Sequence, residues 1–250
     1  MVKLSKIKVF LDKELKIRKI KDYSKNGLQV KCKEEVKKIG FAVDGCLSTF
    51  EKAKKNKVDL LVVHHGIKWK TQKCKELDKK REQFLKKNNI SLYAAHLPLD
   101  LHSQYGNGIE LCRILGLVKT KKFGKYHGIK VGYKGEFVSG IGINKIANIL
   151  NKSLKTKCDV FPFGKKKIKS IGIVSGGGSD AMEEAVKDKL DCFLVGEINL
   201  GAYNRAKDYK MNMVAAGHYA TETGGVKALL RLLKQKFNIE TIFIDNQTGV

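Results

Sequence analysis

The sequence predicts an α/β protein in which helices cover both faces of parallel or mixed β-sheets. Along most of the 250 residues, short apolar runs rich in β-forming residues alternate with charged segments of helical periodicity. Repeated strand–helix units of this kind form such sheets. Residues 119–142 interrupt the alternation, because glycine, lysine and aromatic residues are interspersed there with short β-like runs. This shift in composition indicates a change of domain.

The first half of the chain is predicted to begin with an amphipathic helix and to continue with strand–helix units. The run Leu60–Val63, preceded by Val58 and Asp59, is typical of a strand buried on both faces. Ser48, with Glu51 three residues later, is typical of a helix N-terminus. The predicted elements are a helix at 5–20, a strand at 39–43, a helix at 48–57, a strand at 58–63, a helix at 75–88, a strand at 90–95 and a helix at 106–115.

The alternation resumes after the middle segment. A glycine run follows a strand and opens a helix there, with Asp180 and Glu183 in the positions of cap and third helical residue. The predicted elements are a helix at 144–154, a strand at 170–174, a helix at 180–189, a strand at 191–195, a helix at 200–209, a strand at 211–215, a helix at 220–235 and a strand at 240–244.

Cysteine spacing and hydropathy argue against several protein classes. The six cysteines contain no CxxC or CxxH pair, which disfavours a zinc ribbon and a disulfide framework and favours reduced thiols. The N-terminal segment alternates lysine with single apolar residues, unlike a signal peptide. No stretch approaches the roughly 20 apolar residues of a membrane span. We therefore expect a soluble, cytoplasmic protein that has no membrane partner.

The net charge has two interpretations. Fifty lysine and arginine residues against 25 acidic residues leave a formal charge of +25. Lysine-rich solvated faces explain this charge without any partner. A field of this size also attracts polyanions, of which nucleic acid is the commonest. Charge alone does not identify an element that reads bases in a DNA groove, so it predicts no sequence specificity.

Four of the six histidines are predicted at the carboxyl ends of strands, where ligands bind in open α/β sheets. His64 and His65 end the strand at 58–63, and Gly66 lets the backbone turn away there. A single histidine after a strand is more often structural than a ligand, but several at equivalent positions with nearby carboxylates indicate a metal site. The candidate residues are His64, His65, His96, Asp100, Glu197, His218 and Glu222.

The spacing of these residues favours two metal ions. His218 and Glu222 are one helical turn apart and share a face if a helix starts near residue 218. His64 and His65 are adjacent on an extended chain and point to opposite sides, so each is expected to bind a different ion. Imidazole and carboxylate donors without cysteine suit divalent zinc, manganese or iron, and carboxylates can bridge two ions. The alternative for the doublet is one surface and one structural histidine.

A glycine-rich loop is a second candidate site. Gly176, Gly177, Gly178 and Ser179 follow the strand at 170–174, and a turn of this type exposes backbone N–H groups that can bind a phosphate. The loop lacks the lysine of a P-loop, and no GxGxxG motif follows. The alternative is that these glycines only allow the chain to make a tight turn and bind no ligand.

Three separated motifs resemble the NGG-interacting-factor-three-like proteins, many of which are known as type 2 GTP cyclohydrolase I homologues. They are LLVVHH, AAHLPLDLHSQYGNG and VGEI with AAGHYATE, and the resemblance covers nearly the whole chain. It implies two similar α/β/α lobes with mixed sheets, a dinuclear metal site in the cleft between them, and a homohexamer. We place the lobes at 1–120 plus 215–250 and at 121–214.

The same resemblance implies a set of ligands. Many members carry histidines after the glycine–glutamate pair, whereas Ile198 follows Glu197 here, so Glu197 is expected only to help position the site. The implied metal ligands are His64, His65, Asp100, His218 and Glu222.

Two functions are therefore predicted as alternatives. The first is a dinuclear-metal-dependent hydrolase that acts on a nucleotide or on another small cyclic or amide substrate. Glu222 or Asp100 would bridge the ions, and His96 would be a neighbouring hydrogen-bond partner or proton shuttle. If the family geometry holds, the glycine-rich loop lies beside the metal site and binds the nucleotide phosphate. The second is a hexameric ring that binds DNA without sequence preference and whose metals are structural.

Overall fold

The computed structural model describes residues 1–71 and 74–249. Its chain contacts divide into two compact units. The first unit consists of Met1–His102 and Gly225–Asn246, and the second of Ser103–Gly224 and Gln247–Val250. Each unit contains one large mixed sheet, and the α/β class predicted from the sequence is confirmed.

The elements are numbered in chain order. Those of residues 1–102 are β1 (Val2–Lys3), α1 (Leu4–Glu14), β2 (Gly27–Val30), β3 (Glu35–Val36), β4 (Lys38–Asp44), α2 (Leu47–Lys55), β5 (Leu60–His65), α3 (Lys75–Lys87), β6 (Ser91–Ala94) and α4 (Leu97–Asp100). Those of residues 103–216 are α5 (Asn107–Ile114), β7 (Val118–Tyr126), β8 (Ile129–Ile141), α6 (Ile143–Leu154), β9 (Asp159–Phe161), β10 (Ile168–Val174), α7 (Met182–Lys187), β11 (Cys192–Val195), α8 (Leu200–Asp208) and β12 (Asn212–Ala215). The chain ends with α9 (His218–Phe237) and β13 (Glu240–Phe243).

The sheet of the first unit has the strand order β13-β4-β5-β6-β2. Its first four strands are parallel, and β2 is antiparallel to β6 at the edge. Leu61 and Val63 pack with Phe50 of α2 and Leu85 of α3 on one face. On the other face the hydroxyl group of Tyr93 donates a hydrogen bond to Asp12 of α1. Burial on both faces explains why these strands are apolar throughout.

The sheet of the second unit has the order β7-β8-β10-β11-β12-β9. Strands β10, β11 and β12 are parallel, and antiparallel strands flank them on both sides. Alternate residues of β11 enter different cores. Cys192 and Leu194 pack with helices α5 and α6, whereas Phe193 and Val195 pack with α7 and α8. The middle segment of unusual composition forms the long hairpin of β7 and β8 at the edge of this sheet.

The predicted order of strands and helices is confirmed, but three local predictions are wrong. The helix predicted at 5–20 ends at Glu14, and Lys16 has a left-handed backbone with φ of 51°. Ser48 does not cap α2, because the helix begins at Leu47 and Ser48 lies inside it.

The third error concerns the helix predicted at 180–189. A 3₁₀ turn at Ser179–Ala181 precedes α7, so the α-helix starts two residues later than predicted. Asp180 makes no cap hydrogen bond and instead pairs with Arg205 at 3.5 Å.

The contacts divide the chain at 102/103, 224/225 and 246/247, whereas the lobes were placed from the sequence with boundaries at 120/121 and 214/215. The first difference has a clear cause, because Leu111 and Cys112 of α5 pack in the core of the second unit. The second arises because β12 pairs with β11 and the first turn of α9 follows directly. In the described part of the chain, no helix combines the length and apolarity needed to cross a membrane.

Candidate metal centre

The histidine doublet occupies the last two positions of β5. His64 is fully buried. Its Nδ1–H donates a hydrogen bond of 2.9 Å to the carbonyl oxygen of Ala95, and its Nε2 lies 3.6 Å from a carboxylate oxygen of Asp100. A ring that donates at Nδ1 keeps its lone pair on Nε2. The backbone of the neighbouring chain segment therefore selects the tautomer that binds a metal through Nε2.

His65 is oriented by a carboxylate instead. Its Nδ1 lies 2.8 Å from Oδ1 of Asp44, and Asp44 is the direct partner of His65 in the parallel pairing of β4 and β5. Because both residues end their strands, the sheet register itself brings the carboxylate behind the ring. The arrangement matches the carboxylate–histidine pairs that stand behind metal ligands in proteins.

His96 follows β6 and adds a third imidazole ring. Its Nδ1 lies 3.1 Å from both carboxylate oxygens of Asp22. Burial alone would raise the pKa of Asp22, but the hydrogen bond and charge of His96, together with hydrogen bonds from Asn26 and Ser24, lower it to about 2. Asp22 is therefore ionised at neutral pH and accepts the Nδ1–H of His96.

The three rings form a compact group. Their centroids are 4.6 Å apart for His64 and His65, 5.1 Å for His64 and His96, and 5.6 Å for His65 and His96. One ring nitrogen from each residue lies within 4.8 Å of the others. Each Nδ1 is bound to an oxygen acceptor, so the donor set consists of three Nε2 atoms. Neutral imidazole nitrogens suit zinc, iron and related divalent ions, and these residues fit such a metal.

A second group of metal-binding side chains lies in the second unit. His218 is the first residue of α9, and Glu222 is one turn further along. Nε2 of His218 lies 3.3 Å from Oε1 of the buried Glu222, and its Nδ1 lies 3.3 Å from Oε1 of Glu197. The shared helical face expected from the spacing of His218 and Glu222 is therefore confirmed.

Both glutamates affect the protonation of this histidine. The hydrogen bond with Glu222, and then the charges of Glu222 and Glu197, raise the pKa of His218 to about 9 although burial opposes the shift. In the metal-free protein His218 therefore carries a proton at pH 7. A metal ion that binds at Nε2 must displace this proton.

The glycine-rich loop lies against the same group. Gly176 has a left-handed backbone, and a Cβ atom at this position would overlap Oε1 of Glu222 and lie 2.9 Å from Nε2 of His218. The N–H group of Gly176 donates to Oγ1 of Thr221, and its carbonyl oxygen accepts from the N–H group of Glu197. Glycine is needed here because the backbone approaches the carboxylate so closely.

Ser179 has a structural role in this loop. It is buried, and its hydroxyl group donates a hydrogen bond of 2.6 Å to the carbonyl oxygen of Glu197. Gly177 also lies near this glutamate, since a Cβ atom there would be 3.1 Å from its Oε1. Phosphate binding at Gly176, Gly177, Gly178 and Ser179 stays a prediction.

Within each unit, the predicted site residues therefore lie together. The first unit groups His64, His65, His96 and Asp100, and the second groups Glu197, His218 and Glu222. Sequence reasoning missed Asp22 and Asp44, whose carboxylates hold two of the rings. Asp44 ends a strand and could have been found by the rule that identified the histidines. Asp22 lies outside the regular elements, and no local pattern distinguishes it.

Comparisons with known proteins support the family resemblance. The family model Duf34/NIF3 (NGG1p interacting factor 3) matches residues 2–249. A protein from Pyrococcus horikoshii, called GTP cyclohydrolase 1 type 2 homolog, is 48% identical over 96% of this chain and 97% of its own length. A protein of the same name from Pyrococcus abyssi is 46% identical with equal coverage. The crystal structure of TTHA1606 from Thermus thermophilus matches all of both chains with a TM-score of 0.91 and 33% identity.

Proposed function

The chain belongs to the Duf34/NIF3 family, and from this premise we propose that it is a metal-dependent hydrolase that acts on a nucleotide. The observation that carries the proposal is the three-histidine group, in which every Nδ1 lies at hydrogen-bond distance from an oxygen and one ring nitrogen of each residue lies within 4.8 Å of the others. A nucleotide substrate is supported by the name of the relatives, GTP cyclohydrolase 1 type 2 homolog.

The proposal includes two divalent ions of zinc, manganese or iron. His64 and His65 would each serve a different ion, and Asp100 beside His64 and Glu222 beside His218 would add carboxylate ligands. The proposed ligands are His64, His65, Asp100, His218 and Glu222. Nitrogen and carboxylate oxygen donors of this kind suit all three metals.

The metals and the protein would have different roles in hydrolysis. Divalent ions held by these residues would lower the pKa of a bound water molecule to near neutrality and would polarise the group to be cleaved. The protein fixes the orientation of the imidazole rings through Ala95, Asp44 and Asp22. His96 is held at its Nδ1 by Asp22, which places the lone pair of the ring on Nε2. Glycine at 176 leaves the backbone close to Glu222 and His218 without a side chain between them.

Metal content tests this proposal first. We expect the purified chain to bind about two equivalents of divalent metal, as set by the proposed dinuclear site. His64→Asn should lose most of this metal and all metal-dependent hydrolysis of GTP and related nucleotides. Asparagine can still donate a hydrogen bond toward Ala95 but has no Nε2. Elemental analysis after dialysis, followed by a nucleotide-hydrolysis screen with the bound metal, measures both quantities.

A matched control is available on the hairpin of β7 and β8. His127 is exposed and has φ of 45°, a conformation that asparagine tolerates. His127→Asn should keep the metal content and hydrolysis of the wild type. A His64→Asn protein with full metal content would exclude this metal site.

Binding of nucleic acid is a second candidate function, and the distribution of lysines favours it. Parallel strands β10, β11 and β12 begin at one edge of the second sheet. Eight exposed lysines lie in the segments that lead into these strands, against three aspartates: Lys165, Lys166, Lys167, Lys169, Lys187, Lys189, Lys207 and Lys210. The residues of the metal centre in this unit follow the carboxyl ends of the same strands. The basic edge and the metal centre are therefore at opposite ends of the sheet.

We expect the basic edge to bind single- and double-stranded DNA at low salt without sequence preference. Each lysine–phosphate contact with duplex DNA contributes about −0.9 to the slope of log affinity against log salt. Replacing Lys166 and Lys167 with glutamine removes two such contacts and should therefore reduce the magnitude of the slope by about 1.8. Because no metal ligand is involved, a chelator should leave binding unchanged. Gel-shift titrations at several salt concentrations, with and without chelator, measure these effects.

The double substitution of Lys54 and Lys55 in α2 is the control, since it removes the same charge from exposed lysines of the first unit. Equal loss of binding in both double variants would show that general charge, and not this edge, attracts DNA. No shift at low salt would exclude the function and leave the lysines as a solvated surface.

A further inference from the structure

We propose that His96 provides a third imidazole ligand, beside those of His64 and His65, for the divalent metals of the proposed site and that Asp22 is the residue that positions it. The inference rests on the proposed metal-dependent function. It adds His96 Nε2 to the ligands implied by the family resemblance, and it assigns a role to a buried carboxylate that no sequence motif identifies. The ligand is a divalent ion that favours nitrogen donors, such as zinc.

The position of His96 is fixed by several independent contacts. Asp22 is 2% exposed at its side chain and accepts Nδ1–H of His96. The backbone N–H group of His96 donates to Oδ1 of Asn26 at 2.7 Å. The ring of Trp69 lies edge-on to the ring of His96, with 5.0 Å between centroids. The indole is itself held, because its Nε1–H donates to the carbonyl oxygen of Gly66.

These contacts direct the free ring nitrogen toward the doublet. With Nδ1 committed to Asp22, the lone pair of His96 is on Nε2. The ring packs at 5.1 Å from His64 and at 5.6 Å from His65, measured between centroids. Imidazoles at such distances, each held at its outer nitrogen by an oxygen, are usual protein ligands of zinc-type ions.

Asp22 does more than hold the surrounding loop in place. Its carboxylate also accepts the N–H groups of Ser24 and Leu97 and the side-chain amide of Asn26. Those three contacts would hold the loop at 22–26 without any histidine. The additional contact with Nδ1 places a negative charge behind the imidazole, which increases the basicity of Nε2 as a metal ligand.

Metal titration of the full-length protein tests the inference without any activity assay. The metal-stripped wild type and variants are titrated with Zn²⁺ in competition with a chromogenic chelator, and the Co²⁺ forms are compared by visible absorption. His96→Asn should weaken Zn²⁺ binding by at least about tenfold and change the Co²⁺ spectrum. Asp22→Ala should weaken it by about 10- to 100-fold. Asp22→Asn keeps an oxygen acceptor for Nδ1–H but removes the charge behind the ring, so its affinity should lie between those of Asp22→Ala and the wild type.

The controls separate this inference from the proposed function. His127→Asn should bind Zn²⁺ like the wild type, and circular dichroism of the metal-free proteins checks that each variant folds. If Asp22→Ala does not fold, His96→Asn and Asp22→Asn decide the result. Wild-type affinity and an unchanged Co²⁺ spectrum in His96→Asn, with metal lost in His64→Asn, would overturn the role of His96 but leave the proposed function standing. Metal retained by His64→Asn as well would overturn both.

Discussion

Glu222→Ala is expected to remove bound metal and hydrolysis together. The carboxylate of Glu222 is buried beside His218, and in the proposed site it contacts the ions directly. Loss of a residue that only supports a metal ligand already costs about 10- to 100-fold in activity, so we expect removal of this ligand to lower turnover by at least about 100-fold. Alanine favours helices, and α9 should form without the carboxylate. Elemental analysis and a hydrolysis assay on the same protein sample measure the two losses.

Glu76→Ala is the matched control, because Glu76 is an exposed glutamate in the first turn of α3. It should change neither metal content nor turnover. Thermal unfolding of metal-free Glu222→Ala should show a cooperative transition. Equal turnover in wild type and Glu222→Ala would exclude the proposed metal mechanism.

Gly176→Ala is expected to disrupt the group of His218 and Glu222 through a single methyl group. The added carbon would overlap Oε1 of Glu222. The carboxylate is the end of a side chain and can rotate away, so the protein should still fold, at a cost of about 1–3 kcal/mol. The carboxylate would then leave its position beside His218. Metal affinity should fall by at least about tenfold, since outer contacts alone change affinity by that factor.

Gly116→Ala separates this effect from backbone strain. Gly116 has φ of 64°, close to the 63° of Gly176, but an added carbon there meets no atom within 4 Å. It should lower stability by about 1 kcal/mol and leave metal binding unchanged. Chemical denaturation and the Zn²⁺ titration compare the two variants. Equal Zn²⁺ affinity in both would contradict the close packing of Gly176 against the site.

The strands and helices were predictable because buried segments have characteristic patterns of apolar residues. Strands β4, β5 and β11 are nearly continuous apolar runs, as two buried faces require. Cap positions were not predictable from local rules alone. Ser48 has the right residue type and spacing for an N-cap, but α2 starts one residue earlier, with Cys46 as its N-cap. Whether a serine caps a helix depends on where the preceding loop enters it.

The candidate metal centre was only partly predictable, for a related reason. The histidines were identifiable because the ends of parallel strands meet at one edge of a sheet, a rule that needs only the order of the elements. Asp22 and Asp44 act through contacts with rings that lie 74 and 21 residues away in sequence. Hydrogen bonds over such separations depend on tertiary structure, and residue type alone does not reveal them.

The three imidazoles differ in the group that contacts their Nδ1 atoms, and this difference affects how the site can evolve. His65 and His96 rest on carboxylates, Asp44 and Asp22, which a single substitution can convert to amides. His64 rests on the carbonyl oxygen of Ala95, which every amino acid at that position retains. In the proposed site, mutation can thus adjust the donor strength of His65 and His96, whereas the partner of His64 is a main-chain carbonyl that substitution does not remove. The metal preference of such a site can therefore change in small steps while the hydrogen bond between His64 and Ala95 is retained.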